Sequence, residues 1–198
     1  MKVRETYVSC TGLVDVGSLA LFINVSNSGM EEPMKELVDK ASHFNTVVLL
    51  GRPFKQRDEI PKFVKGVTNK NPNVRFVIYT VGTVSPVGMS TMKNVHFVVN
   101  LQLKNTNMEY KHRIINSTVE WHVKMRSSIV FDIYTNDDID EADLLIQEFG
   151  IGKSCVYLSP VSHHHIEKLL KKCKRLGYNF APNFRKFLWA DDGDPQHE

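Results

Sequence analysis

The sequence predicts a single-domain α/β fold, a partial (βα)6 barrel-like curved parallel sheet spanning residues 1–198. Three observations predict it. Six short apolar runs read as strands. Amphipathic stretches with helical spacing lie between most of them. No linker, internal repeat or low-complexity segment divides the 198 residues, a length that suits one core. Six parallel strands are too few for a closed eight-stranded barrel and suit an open, strongly curved sheet.

The first strand, Leu19–Val25, is almost continuously apolar. Strands 46–50, 74–79, 95–99, 128–133 and 155–158 follow the same rule. Such runs suit strands covered on both faces, as in parallel sheets. Met34, Leu37, Val38 and Ala41 recur at i, i+3, i+4, i+7 and predict a helix after the first strand. Ile60, Phe63, Val64 and Val67 repeat that spacing. Pro33 and Pro61 fall in first turns, where a missing N–H costs nothing. Residues 82–94 read as loop. Residues 108–123 predict a helix, although Ile114, Ile115, Val119 and Trp121 make no clean stripe. Ile139, Ala142, Leu145 and Phe149 predict the next helix, closed by Gly150. Ile166, Leu169, Leu170, Cys173 and Leu176 predict the last, with Ser162 as its cap and Gly177 as its stop. Crossovers between parallel strands are right-handed, and ligand sites in such folds lie beyond the carboxyl ends of the strands.

Composition narrows the function classes. The apolar fraction is 42% and the charged fraction 24%, as in ordinary globular proteins. No run is long enough to cross a membrane, and the first residues lack the features of a secretory signal. A cytoplasmic location is expected. Cys10, Cys155 and Cys173 are scattered, which fits a reducing compartment and no disulfide framework. Cys155 inside a strand and Cys173 on a helix read as small core hydrophobes. The net charge of +3 permits an acidic partner without demanding one.

No Gly-rich phosphate loop, nucleophile elbow, zinc motif or carboxylate pair is present in the sequence. His163, His164 and His165 are consecutive. On a helix they point about 100° apart and cannot converge on one ion, so they read as a polar helix start, with one imidazole free to touch an anion or partner. Lys168, Lys171, Lys172, Lys174 and Arg175 form a basic stripe. It reads as a solvated face or as a contact for phosphate or an acidic surface. Arg185, Lys186 and Trp189 form a basic-aromatic tail compatible with base stacking. Arg52 follows a strand end, where it either fills a cavity or pairs with an acid such as Asp132.

Several pieces, read in order, resemble the radical S-adenosylmethionine family of 7-carboxy-7-deazaguanine synthases. Val3-Arg4-Glu5-Thr6-Tyr7-Val8-Ser9 is similar to the family's opening, and Cys10-Thr11-Gly12-Leu13 stands where the family has a Gln-Gly-Glu-Gly turn. Residues 17–25 resemble the first barrel strand. Leu49-Leu50-Gly51-Arg52-Pro53 stands at the family's Gly-Gly-Glu-Pro motif, and Tyr79-Thr80-Val81-Gly82-Thr83 at its Glu-Thr-Asn-Gly-Thr strand end. Residues 156–162 and 183–189 resemble the last strand and the tail. The resemblance is colinear over nearly the whole chain.

It implies a barrel-like fold, an iron–sulfur cluster and bound S-adenosylmethionine. The departures point the other way. Where the family carries C-x3-C-x2-C, this chain has a shortened stretch starting Ser26, Asn27, Ser28, Gly29. Hydroxyls and amides do not replace soft thiolates. The Glu expected to grip S-adenosylmethionine is missing beside Gly51, and Arg185 replaces the tail histidine. The expectation is a non-catalytic binding protein on this scaffold, with no cofactor and no metal. Its partner is expected to be another protein or a second copy of itself, a pattern that would suit a viral or mobile-element protein. The alternatives are an accessory or remnant enzyme of 7-deazaguanine metabolism and a nucleic-acid-binding module.

Overall fold

The computed structural model describes residues 1–86, 88, 89, 92–161 and 166–182. One sheet of nine strands organises them, in the order β3-β1-β2-β4-β5-β6-β7-β8-β9. The strands are β1 (Lys2–Cys10), β2 (Leu19–Val25), β3 (Met30–Glu31), β4 (Thr46–Gly51), β5 (Arg75–Thr80), β6 (Val95–Asn100), β7 (Ser128–Ile133), β8 (Val156–Pro160) and β9 (Asn179–Phe180). From β2 to β9 every pairing is parallel. The sheet is open, with β3 and β9 at its two edges.

All six expected strands are present, and three more join them. β1 pairs antiparallel with β2, and β3 pairs antiparallel with β1. β1 escapes an apolar-run search because only Val3 in it is fully buried. Its register also shifts between Val3 and Glu5, which breaks the alternation.

The helices are α1 (Met34–Ser42), α2 (Glu59–Lys70), α3 (Tyr110–Arg113), α4 (Asn116–Lys124), α5 (Asn136–Phe149) and α6 (Ile166–Leu176). The single helix expected over 108–123 is two, because Ile114 and Ile115 are extended (φ −119°, ψ 111° and φ −108°, ψ 100°). Pro33 stands just before α1, with Pro61 inside the first turn of α2. Gly150 and Gly177 take left-handed conformations beyond α5 and α6, as expected for caps. Two other readings need correction. Leu170 is 50% exposed and does not belong to the buried stripe of α6. Cys155 ends a 3₁₀ turn ahead of β8, so it is not a strand residue.

Alternation along the strands divides the sheet into two unlike faces. Ile23, Leu49, Ile78, Val99, Phe131 and Leu158 point to the back, where they meet Leu37, Phe63, Val119, Ala142 and Leu169 from α1, α2, α4, α5 and α6. The front buries Ala20, Val48, Val77, Val98 and Val130, with Phe22, Leu50, Tyr79 and Tyr157 half-buried around them. No described helix contributes to that front cluster. The apolar runs had suggested strands covered on both faces. The front is filled by its own aromatic side chains and by Leu13 and Val14 from the β1–β2 loop.

Candidate functional site

The front face carries the polar side chains that a ligand would meet. At its carboxyl end, four strands continue two residues beyond the apolar cluster into polar ground. Asn24 follows Phe22, Asn100 follows Val98, Asp132 follows Val130 and Ser159 follows Tyr157. Asn24 Nδ2 donates to Glu5 Oε1 at 3.0 Å, and Asn100 Nδ2 donates to Asp132 Oδ2 at 2.8 Å. Two amide–carboxylate pairs therefore stand on the same face, and each keeps spare carboxylate lone pairs for N–H donors. Tyr7 stacks on Phe22 with centroids 5.2 Å apart and planes 6° off parallel. Burial pushes the Tyr79 hydroxyl up to about 12, so it stays protonated.

Gly51 shapes the same end. Its φ is +79°, and a Cβ there would lie 2.4 Å from Val25 O and 2.5 Å from Asn24 Oδ1. Only glycine permits this approach, and it leaves the Asn24 carboxamide over the end of β4.

At the amino end of the strands, the β1–β2 loop folds beneath the sheet and frames a pocket of about 690 Å³. Leu13, Val14 and Tyr157 form an apolar wall, and Arg75, Lys93, His96 and Ser128 a polar one. Asp15 holds Arg75 in an ion pair. His96 Nε2 and Ser128 Oγ share a hydrogen bond of 2.9 Å. Burial, then the Arg75 charge, lowers the His96 imidazole below its ordinary value, against a smaller opposing pull from Asp15. The pocket lies at the end of the strands opposite to the one the fold predicts for ligands.

Among the described residues, the expected site residues do not meet at one place. Arg52 is exposed at the end of β4, where its N–H donates to Val25 O. It forms no ion pair among the described residues, and Asp132 is engaged by Asn100, so the suggested Arg52–Asp132 pair is not formed. Lys168, Lys171, Lys172 and Arg175 do share α6, which follows β8 and is separated from β4 by three strands. Lys171 pairs with Glu167 at 2.6 Å, and the half-buried Lys172 donates to Asn136 Oδ1 at 3.4 Å. His163, His164, Arg185, Lys186 and Trp189 lie outside the described residues. The amide–carboxylate pairs were missed in the sequence, since their members are 19 and 32 residues apart and only strand register joins them.

Two buried polar groups behind the sheet were also missed. Arg113 is 1% exposed, donates to Gln102 O at 2.8 Å and pairs with Glu141 Oε1 at 2.6 Å. His122 is fully buried against Phe97 and Trp121, with Nδ1 and Ser127 Oγ 3.0 Å apart. Both anchor the connection from β6 to β7.

No protein-family profile and no curated protein matches the chain by sequence. A crystal structure of QueE from Escherichia coli is similar over 92% of this chain and 93% of that one, with a TM-score of 0.68 and 14% identity. This chain has a QueE-like fold. At 14% identity the likeness to QueE is one of fold alone.

The cluster that the sequence resemblance implies does not fit the residues at its position. The β2–β3 connection is a tight turn in which Ser28 N donates to Ser26 Oγ, the two serine hydroxyls are 3.0 Å apart, and Gly29 N donates to Ser26 O. A Cβ on Gly29 would lie 2.3 Å from Val3 O, so the turn presses directly on β1. Its donors are hydroxyl and amide oxygens, poor ligands for iron–sulfur. Cys10 ends β1, Cys155 precedes β8 and Cys173 lies on α6. Among the described residues no group of three His, Cys, Asp or Glu is placed to hold a metal ion. None of the described helices is long and apolar enough to cross a membrane.

Proposed function

We propose that this chain is a non-catalytic binding protein on a QueE-like scaffold, meeting a macromolecular partner through its surface. The observation that carries the reading is the 26–29 turn, whose oxygen donors bond one another and whose backbone is packed on β1. The exposed basic side chains of α6 supply a surface for contact. Anaerobic reconstitution with ferrous iron and sulfide tests the reading. The expected result is a colourless protein that leaves S-adenosylmethionine intact. A brown protein that cleaves S-adenosylmethionine overturns it.

A second reading keeps the chain within 7-deazaguanine metabolism, as an accessory or remnant of the 7-carboxy-7-deazaguanine synthase family that its sequence resembles. The front face favours it, because the Glu5 carboxylate beside the Tyr7–Phe22 stack suits a flat heterocycle bearing N–H donors. Calorimetry with a pterin and with a deazapurine decides. Heat that disappears in Glu5→Ala supports the reading, and no heat at millimolar ligand removes it.

A further inference from the structure

The front of the sheet changes character at the amino ends of its strands. Arg75, His96 and Ser128 stand two residues ahead of Val77, Val98 and Val130, so alternation sets all three on the front. They line the pocket of about 690 Å³ together with Leu13, Val14 and Asp15 of the β1–β2 loop. That loop is braced from within. Thr11 N donates to Ser18 O at 2.9 Å, Gly17 N to Thr11 O at 2.8 Å and Ser18 N to Asp15 O at 3.0 Å. The Asp15–Arg75 ion pair then fastens it to the sheet. The hollow is therefore built into the fold, and its volume suits a small molecule.

The lining says what would fit. Asp15 is its one carboxylate among the described residues, and Arg75 already engages it. Lys93 forms no ion pair among the described residues, which leaves the lining with a positive charge to spare. Ser128 is 5% exposed and shares its 2.9 Å bond with His96 Nε2. Burial, ahead of the Arg75 charge, holds that imidazole below its ordinary value, so the pair is neutral near neutral pH. In either tautomer the pair keeps one proton to donate, on His96 Nδ1 or on Ser128 Oγ. A metal cation would find the carboxylate engaged and a lysine beside it.

We propose that this pocket binds a small organic phosphate or carboxylate, with its oxyanion on Lys93 and the His96–Ser128 pair and its apolar body against Leu13, Val14 and Tyr157. The site stands at the opposite end of the strands from Asn24, Asn100 and Asp132, and it goes beyond both functional readings above. Phenyl phosphate and benzoate are each titrated into the full chain, followed by the amide signals in nitrogen–proton NMR spectra. Saturable shifts are expected at Arg75, Lys93, His96 and Ser128, and the tighter of the two ligands names the oxyanion. Inorganic phosphate and phenol, each lacking half of the ligand, should bind about tenfold more weakly or worse. Lys93→Gln, at an exposed position, should weaken binding by about threefold with unchanged circular dichroism. His96→Phe, which removes both ring nitrogens, should weaken it by about tenfold. No saturable shift with either ligand at millimolar concentration overturns the proposal. So do shifts centred on Asn24, Asn100 and Asp132, inorganic phosphate binding as tightly as phenyl phosphate, or an affinity that either variant leaves unchanged.

Discussion

At Gly51 the backbone leaves β4 with φ +79°, and Val25 O and Asn24 Oδ1 occupy the space a side chain would need. Gly51→Ala should therefore cost roughly 2–4 kcal/mol, from left-handed strain and overpacking together. Urea unfolding checks this, and a loss too small to measure would contradict the placement of Asn24. His122 makes a separate prediction about pH. Burial takes its imidazole from the ordinary 6.5 down to about 4. Between those values the unfolded chain holds a proton that the folded chain refuses, so stability falls as pH drops through that window. The loss should be on the order of 3 kcal/mol by pH 4. His122→Phe should flatten the slope of stability against pH between 6.5 and 4, and an unchanged slope would assign the effect to other groups. The motif resemblance marks Gly51 but not the crowding around it, and a histidine after tryptophan carries no pattern of its own; Val25 and Asn24 of β2 and Phe97 of β6 reach them from about 25 residues away.

Helices were legible where one apolar stripe met one face of the sheet. α1, α2 and α5 keep the 3.6-residue period because each packs on a broad surface. The 108–123 segment did not read cleanly because its two short helices turn different sides inward around extended Ile114 and Ile115. β1 was invisible for a related reason, since a strand near a sheet edge with one buried residue has no continuous apolar run. The start of α5 depends on a capping box, in which Asp138 Oδ2 accepts from Thr135 N at 2.7 Å and Tyr134 N at 2.8 Å. Thr135→Ala should cost about 1 kcal/mol, read as a shift in the unfolding midpoint with no change in its slope. The Arg113–Glu141 pair ties α3 to α5. Glu141→Leu alone should cost about 3–5 kcal/mol, because it leaves a cation buried without its partner. Adding Arg113→Met should recover part of that loss. A double variant as unstable as the sum of the two singles would show that the pair is not coupled.

Over the whole molecule, the sheet and the back core are continuous from β2 to β8. Hydrogen exchange should reflect this, with the slowest amides in β4, β5 and β6 and the fastest in the two-residue edge strands β3 and β9. Protection of β3 equal to that of β5 would contradict the topology. The order and parallel direction of the six expected strands were readable from alternating runs and helices, whereas β1, β3, β9 and the candidate site were not. It is assembled by register across strands, and register is a property of neighbours, which a single strand does not reveal. The one-sided placement of the helices has a wider consequence. The rear of the protein carries the larger core and every helix that packs on the sheet among the described residues, and the front carries the smaller core. A lineage with such a body can exchange the residues on its front, strand by strand, abandon one trade and take up another, and never have to learn to fold again.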